Sequence, residues 1–195
     1  MHLKELIISD YERKYGCRFC IYKLIGKFIV SPIFRLQCLY RICHETELPP
    51  PKKSKTILNK IIRLKPVKTF LKLWYKRMEV YTGIQISEKA IIGKSFSIEH
   101  FSGIVIGSVI IGDNCTIFHG VTIGHAGREN GGSPIIGNNC VLASGAKIIG
   151  KINIGNNVFV GTNAVVAKSI PDNAVVGAPL GAIISYKGTE GYFGN

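Results

Sequence analysis

Residues 135–166 read IIGNNCVLASGAKIIGKINIGNNVFVGTNAVV, and an aliphatic side chain returns in them at every sixth position: Ile136, Leu142, Ile148, Ile154, Val160 and Val166. An amphipathic helix would repeat every 3.6 residues and an extended strand every 2. A period of six is met by a coil of short strands and turns, in which each hexad forms one side of a prism and three hexads close a turn. Towards the N-terminus the rhythm continues through Ile111, Ile117 and Ile123, and before them through Ile86, Ile92 and Ile98. No turn can bury its anchors alone, so the stack has to be continuous. The fold expected is mainly β, a parallel β-helix.

The rhythm breaks twice. Ile98 to Ile111 is 13 residues, one more than two hexads, which predicts a single inserted residue somewhere between His100 and Val105. Ile123 to Ile136 is also 13, and residues 124–134 (GHAGRENGGSP) hold no aliphatic anchor. That stretch reads as a loop leaving the prism. Loops on a rigid scaffold are where binding and chemistry concentrate.

The charge divides the chain. Residues 1–80 hold 18 Lys and Arg against 6 Asp and Glu, and residues 81–195 hold 7 against 6, so nearly all of the net +13 lies in the first part. That part also spaces apolar residues helically, as in Cys20, Leu24 and Phe28, or Ile57, Ile61, Ile62 and Leu64. Pro49, Pro50 and Pro51 should split it into two helical parts, because proline stops a helix. The organisation expected is a basic α-helical segment over 1–80, the coil over 81–183 and a tail over 184–195.

The basic cluster Lys60, Arg63, Lys65, Lys68, Lys72, Lys76 and Arg77 reads first as a solvated helical cap on the first coil. Its second reading is peripheral contact with an anionic membrane, at roughly 1 kcal/mol per basic residue. No nucleic-acid motif is present. No run of 18 uncharged apolar residues occurs, and early charges such as Lys4, Glu5 and Asp10 exclude a secretory core, so a cytoplasmic address is expected. Six cysteines without a zinc-type spacing read as reduced thiols.

His100 and His119 each lie two positions past an anchor and are 19 residues apart, one coil plus the insertion. They are therefore expected on one edge of the prism, about 5 Å apart along its axis. His125, two past Ile123, belongs to the next edge at the root of the loop. A lone histidine is most often structural, but imidazole suits general-base work near neutral pH and these three cluster at the interruptions. His100 reads as catalytic. His119 reads equally as its helper or as packing.

The runs IEHFSGIVIG, TIFHGVTIG and PDNAVVGAP, with the hexads between them, resemble the hexapeptide-repeat acyltransferases over about residues 82–183. The likeness is to the serine acetyltransferase branch, and closer still to O-acetyltransferases of capsular and colanic-acid polysaccharide synthesis. It implies a left-handed β-helix, a homotrimer or a multiple of it, and acetyl-CoA held in the groove between neighbouring prisms. It further implies His100 as the base that deprotonates an acceptor hydroxyl, with Glu99 beside it and His119 one coil on.

For acetyl-CoA the resemblance points to Gly124, Ala126, Ser144, Gly145, Thr162 and Lys168, and for the acceptor to Gln85, His125 and Arg128. Two departures bear on the acceptor. Gln85 stands where the serine enzymes carry an aspartate, and Gly132 and Ser133 stand where they carry an arginine and a histidine before the proline. An expected acceptor is therefore a sugar hydroxyl of a surface polysaccharide or its precursor, with serine as the alternative. A trimeric metal enzyme of the carbonic-anhydrase kind is a further reading, disfavoured because His100 and His119 lie one coil apart on one edge. No metal is expected.

Overall fold

In a computed structural model of the chain, residues 3–49, 57–127, 131–182 and 186 are described. Among these residues fourteen short strands form three parallel sheets that wind into a prism of about five turns. The first face stacks β1 (Ile84–Ile86), β4 (Ile104–Ile106), β7 (Thr122–Gly124), β10 (Lys147–Ile149) and β13 (Val165–Val166). The second stacks β2 (Ile91–Ile92), β5 (Ile110–Ile111), β8 (Ile135–Ile136) and β11 (Asn153–Ile154). The third stacks β3 (Ser97–Glu99), β6 (Thr116–Phe118), β9 (Val141–Leu142), β12 (Phe159–Val160) and β14 (Val175–Val176). The anchors lie in register, Ile98 on Ile117 on Leu142 and Ile92 on Ile111 on Ile136. All of them are buried inside the prism. Each such aliphatic side chain stabilises by roughly 1.5–3 kcal/mol relative to exposure.

Among the described residues five helices precede the coil, α1 (Leu3–Tyr15), α2 (Ile21–Val30), α3 (Pro32–Glu47), α4 (Ile57–Ile62) and α5 (Lys65–Thr82). Two helical parts were expected, yet the segment before the prolines is itself three helices. Gly16, at φ 60, closes α1. Ser31 ends α2 and also caps α3, its hydroxyl accepting from Phe34 N–H at 3.3 Å ahead of Pro32 at the first helical position. Residues 50–56 and, apart from Tyr186, the expected tail lie outside the described residues.

The first coil would otherwise present an open row of strand N–H and C=O groups, which is costly to bury unpaired. Polar side chains of the helices take up this row. Asp10 accepts from Phe96 N–H at 2.9 Å, Ser9 from Ser95 N–H at 3.0 Å and Glu79 from Ile86 N–H at 3.1 Å. Tyr40 donates to Ala90 O at 2.8 Å, Gln37 to Phe96 O at 3.1 Å and Tyr75 to Ile86 O. Arg41 donates to Ile92 O at 2.5 Å and Gly93 O at 2.6 Å while gripping Asp10 at 2.9 Å and 3.1 Å. The buried charges of the helical part are thus the pairing partners of the coil's end.

Candidate functional site

The edge between the third and first faces carries the histidines. Ile98 pairs with Ile117, and Ile106 pairs with Ile123. Eight residues therefore separate the anchors across this edge in the first coil, against six in the second. At the following edge the second coil is one residue short, Ile106 to Ile111 spanning five where Ile86 to Ile92 of the first coil spans six. The single insertion expected from the sequence is thus a bulge of two residues, offset by a deletion that the net count concealed.

The bulge holds His100 at φ 61 and Ser102 at φ 100, left-handed conformations that cost a non-glycine residue energy. Phe101 forms its tip, 56% exposed. The bulge ends at Gly103, from which the regular edge resumes: Gly120 N–H donates to Ser102 O at 3.0 Å, Gly145 N–H to His119 O at 2.9 Å and Asn163 N–H to Ser144 O at 2.9 Å. Below it stands the end of α5, where a Cβ on Gly83 would lie 3.3 Å from the Ser102 Cα.

His100 and His119 are both exposed on this edge, their rings 5.8 Å apart and nearly perpendicular at 79°. Phe118 flanks His100 at 6.3 Å. His119 Nδ1 lies 3.4 Å from the Ser144 hydroxyl, a long contact in which either atom donates according to tautomer. Two imidazoles thus stand one coil apart on this edge, the second of them beside a hydroxyl.

Glu99 is not the carboxylate partner of His100 that was expected. It projects from the third face towards α1, where it accepts from Ser97 Oγ at 2.5 Å and pairs with Lys14 at 3.7 Å. The odd and even positions of a strand point to opposite sides, and with Ile98 inward Glu99 is turned outward onto the helix. Lys14 also donates to Ile98 O at 2.5 Å, and its burial pulls its pKa down against the raising effect of Glu99. This lysine, 84 residues from its acceptor, has no signature in spacing.

The cofactor and substrate candidates divide between two edges. Ser144, Gly145 and Thr162 lie on the histidine edge. Gly145 holds φ 75, and a Cβ there would stand 2.0 Å from Asn163 Oδ1, so the Asn163 side chain would have to turn aside. Gly124, His125, Ala126 and Lys168 lie at the edge between the first and second faces, each of His125 and Lys168 two residues past an anchor of the first face. His125 Nδ1 accepts from Gly127 N–H at 2.8 Å, so it shapes the loop root.

Between the two edges runs the first face, with Thr122 and Lys147 in register. Lys147, which sequence reasoning passed over, donates to Gly120 O at 2.5 Å and Thr122 Oγ1 at 3.1 Å. Its only signal was a cation at an outward position before the anchor Ile148. Gln85 is exposed on β1, opposite Val105, on the face rather than the histidine edge. Arg128 lies outside the described residues. Among the described residues no three His, Cys, Asp or Glu side chains converge as metal ligands would.

No family model matches the sequence. A serine acetyltransferase of Staphylococcus aureus is 48% identical over 113 residues, 56% of this chain and 53% of that protein. The crystal structure of Neisseria gonorrhoeae serine acetyltransferase in complex with serine superposes with a TM-score of 0.65 at 26% identity, covering 92% of this chain and 67% of that one. That of Brucella abortus serine acetyltransferase with coenzyme A gives 0.66 at 24%, covering 94% and 66%, a likeness of fold. The chain spans about half the length of the curated relatives it matches. These relatives overturn the expected polysaccharide acceptor and the capsular branch, and favour the serine alternative. The chain carries the hexapeptide-repeat left-handed β-helix acetyltransferase fold, with serine acetyltransferases among its homologues.

Proposed function

We propose that this protein is an acetyl-CoA-dependent serine O-acetyltransferase in which His100 is the general base. The observation that carries the reading is the left-handed two-residue bulge that lifts His100 out of the edge, beside His119, in a chain whose relatives are serine acetyltransferases. Backbone strain held at one exposed imidazole is expected where positioning serves chemistry.

In the reaction the neutral His100 ring takes the proton of the serine hydroxyl as that oxygen attacks the thioester carbonyl carbon. The tetrahedral intermediate then collapses with cleavage of the C–S bond, and the imidazolium returns its proton to the departing thiolate. General-base assistance of this kind contributes roughly 10²- to 10⁴-fold. His119 and Ser144 continue the edge and are assigned to relaying or orienting that proton. Ser144, Gly145 and Thr162, small residues on the edge beyond His119, are assigned to the extended acyl carrier.

Gly124, Ala126 and Lys168 are assigned to the carrier's other end, and Gln85, His125 and Arg128 to the acceptor. Those on the next edge are separated from His100 by the whole first face within one chain. The site becomes compact when the loop edge of one copy meets the histidine edge of another, which supports a homotrimer as the working unit. The test is release of CoA thiol from acetyl-CoA in the presence of L-serine. Turnover that depends on serine and is lost in His100→Asn supports the reading, and the absence of serine-dependent thiol release overturns it.

A further inference from the structure

The helical part carries a surface that the proposed reaction does not use. α2 buries none of its residues and exposes Ile21 by 50%, Tyr22 by 82%, Ile25 by 50%, Ile29 by 64% and Val30 by 77%. On the helical wheel these five cover about half of the circumference. Leu24 and Phe28 turn inward, packed against the cluster of Tyr11, Phe34 and Cys38. Lys23 and Lys27 fall together on the boundary between the exposed apolar arc and the inward one.

α2 and α5 both pack on α3 and meet where Phe28 and Trp74 make an edge-to-face contact at 5.9 Å. On α5, Phe70 and Leu73 are exposed by 64% and 67%, and with Trp74 and Arg77 they line a shallow apolar groove. The sequence of α2 contains no acid. The one acid of α5, Glu79, is buried and taken up by Lys76 and Ile86 N–H.

We propose that the α2–α5 face docks on an anionic phospholipid bilayer, with α2 lying in the plane of the head groups. An apolar arc bordered by lysines, without acids, and with Tyr22 and Trp74 offering amphipathic rings, has the character of an interfacial helix. The excess of 18 basic over 6 acidic residues in the first 80 supplies the matching long-range attraction. A second copy of the chain is the poorer occupant, because a self-complementary contact would bring two patches together that carry Lys23, Lys27 and Arg77 and expose no carboxylate from α2 or α5 to pair with them. No described helix is long and apolar enough to cross a membrane, so the contact is in-plane.

The experiment is co-sedimentation of the full chain with phosphatidylcholine vesicles with and without phosphatidylglycerol. Binding to the anionic vesicles should be at least about tenfold tighter than to the neutral ones and should weaken with salt. Ile25→Asp with Ile29→Asp should reduce it by about tenfold or more, and Lys23→Gln with Lys27→Gln by about tenfold. Circular dichroism reports folding of each variant, and the lysine pair carries the test should the aspartate pair disturb the helix. Equal binding to neutral and anionic vesicles overturns the proposal. So does binding unchanged in a folded variant, or self-association that the aspartate pair abolishes while vesicles remain unbound.

Discussion

Two edges of the same prism need the same backbone and are built from different residues. Between the second and third faces the left-handed position is filled by Ser95, Asn114, Asn139, Asn157 and Asn173, at φ 55 to 60. Their side chains bond from coil to coil, Asn114 to Asn139 at 2.7 Å and Asn157 to Asn173 at 2.8 Å. Beside them a second ladder runs from Asp113 through Asn138 and Asn156 to Asp172, each carboxylate or amide oxygen accepting the N–H of the coil before. On the histidine edge the same conformation falls to Gly103, Gly120, Gly145 and only then Asn163. Asparagine tolerates this conformation and adds side-chain hydrogen bonds, whereas glycine tolerates it without a side chain and lets the next coil approach, so that a Cβ on Gly120 would stand 3.3 Å from the Gly145 Cα. One edge is a seam of side-chain hydrogen bonds between coils, and the other is cleared of side chains at these positions, with two imidazoles beside them.

The largest effect should come from the cleared edge. His100→Asn keeps a residue that accepts φ near 60 and removes the base, so serine-dependent turnover should fall by about 10²- to 10⁴-fold, about 3–5 kcal/mol in the barrier. Because His100 is exposed, the melting temperature should stay where it is. A steady-state assay beside thermal denaturation checks both halves, and a drop in stability equal to the drop in rate would erase the distinction between the edges.

Next in size is a change that makes the cleared edge resemble the seam. In Gly145→Ala the new Cβ meets Asn163 Oδ1 at 2.0 Å and the backbone must hold φ 75. Conformational strain alone costs about 1–3 kcal/mol, with the collision added to it. Denaturant titration should show this loss. If the protein is as stable as before, Asn163 has moved aside and the edge is less constrained than its geometry implies.

On the seam, Asn139→Ala removes the acceptor of the Asn114 amide and places alanine at φ 57. A loss of about 1–2 kcal/mol in unfolding free energy is expected. Turnover per folded molecule should be unchanged. A selective loss of turnover would mean that the two edges are mechanically coupled.

The distinction between edges was only partly legible beforehand. The hexad anchors name the prism and its inward side chains, because burial enforces a strict period. The positions of His100 and His119 on one edge follow from the same counting. The two-residue bulge did not, since its extra residue is offset by the short segment from Ile106 to Ile111, and only register separates the two. The partners of Asp10, Arg41 and Lys14 on the first coil lie 51 to 86 residues away, beyond anything spacing encodes. Glu99 was assigned to its neighbour in sequence when strand alternation gives it to α1. The acceptor was misread from Gly132 and Ser133, loop residues whose departure from a motif says less about the substrate than the relatives of the whole coil do.

The smallest effect tests how much of the cleared edge belongs to His119. Ser144 Oγ approaches His119 Nδ1 at 3.4 Å, at the outer limit of a hydrogen bond and exposed to water that can replace it. Ser144→Ala should therefore lower turnover by no more than about threefold, about 0.6 kcal/mol, and should leave stability alone because the hydroxyl holds nothing else in place. His119→Gln in the same assay removes the ring and keeps an amide able to bond Ser144. If Ser144→Ala costs as much as His119→Gln, the serine sets the tautomer of His119 and the edge works as a relay of three groups. If Ser144→Ala is near neutral while His119→Gln slows the reaction, His119 acts on His100 or the acceptor directly, and the hydroxyl is merely the small side chain that keeps the edge open.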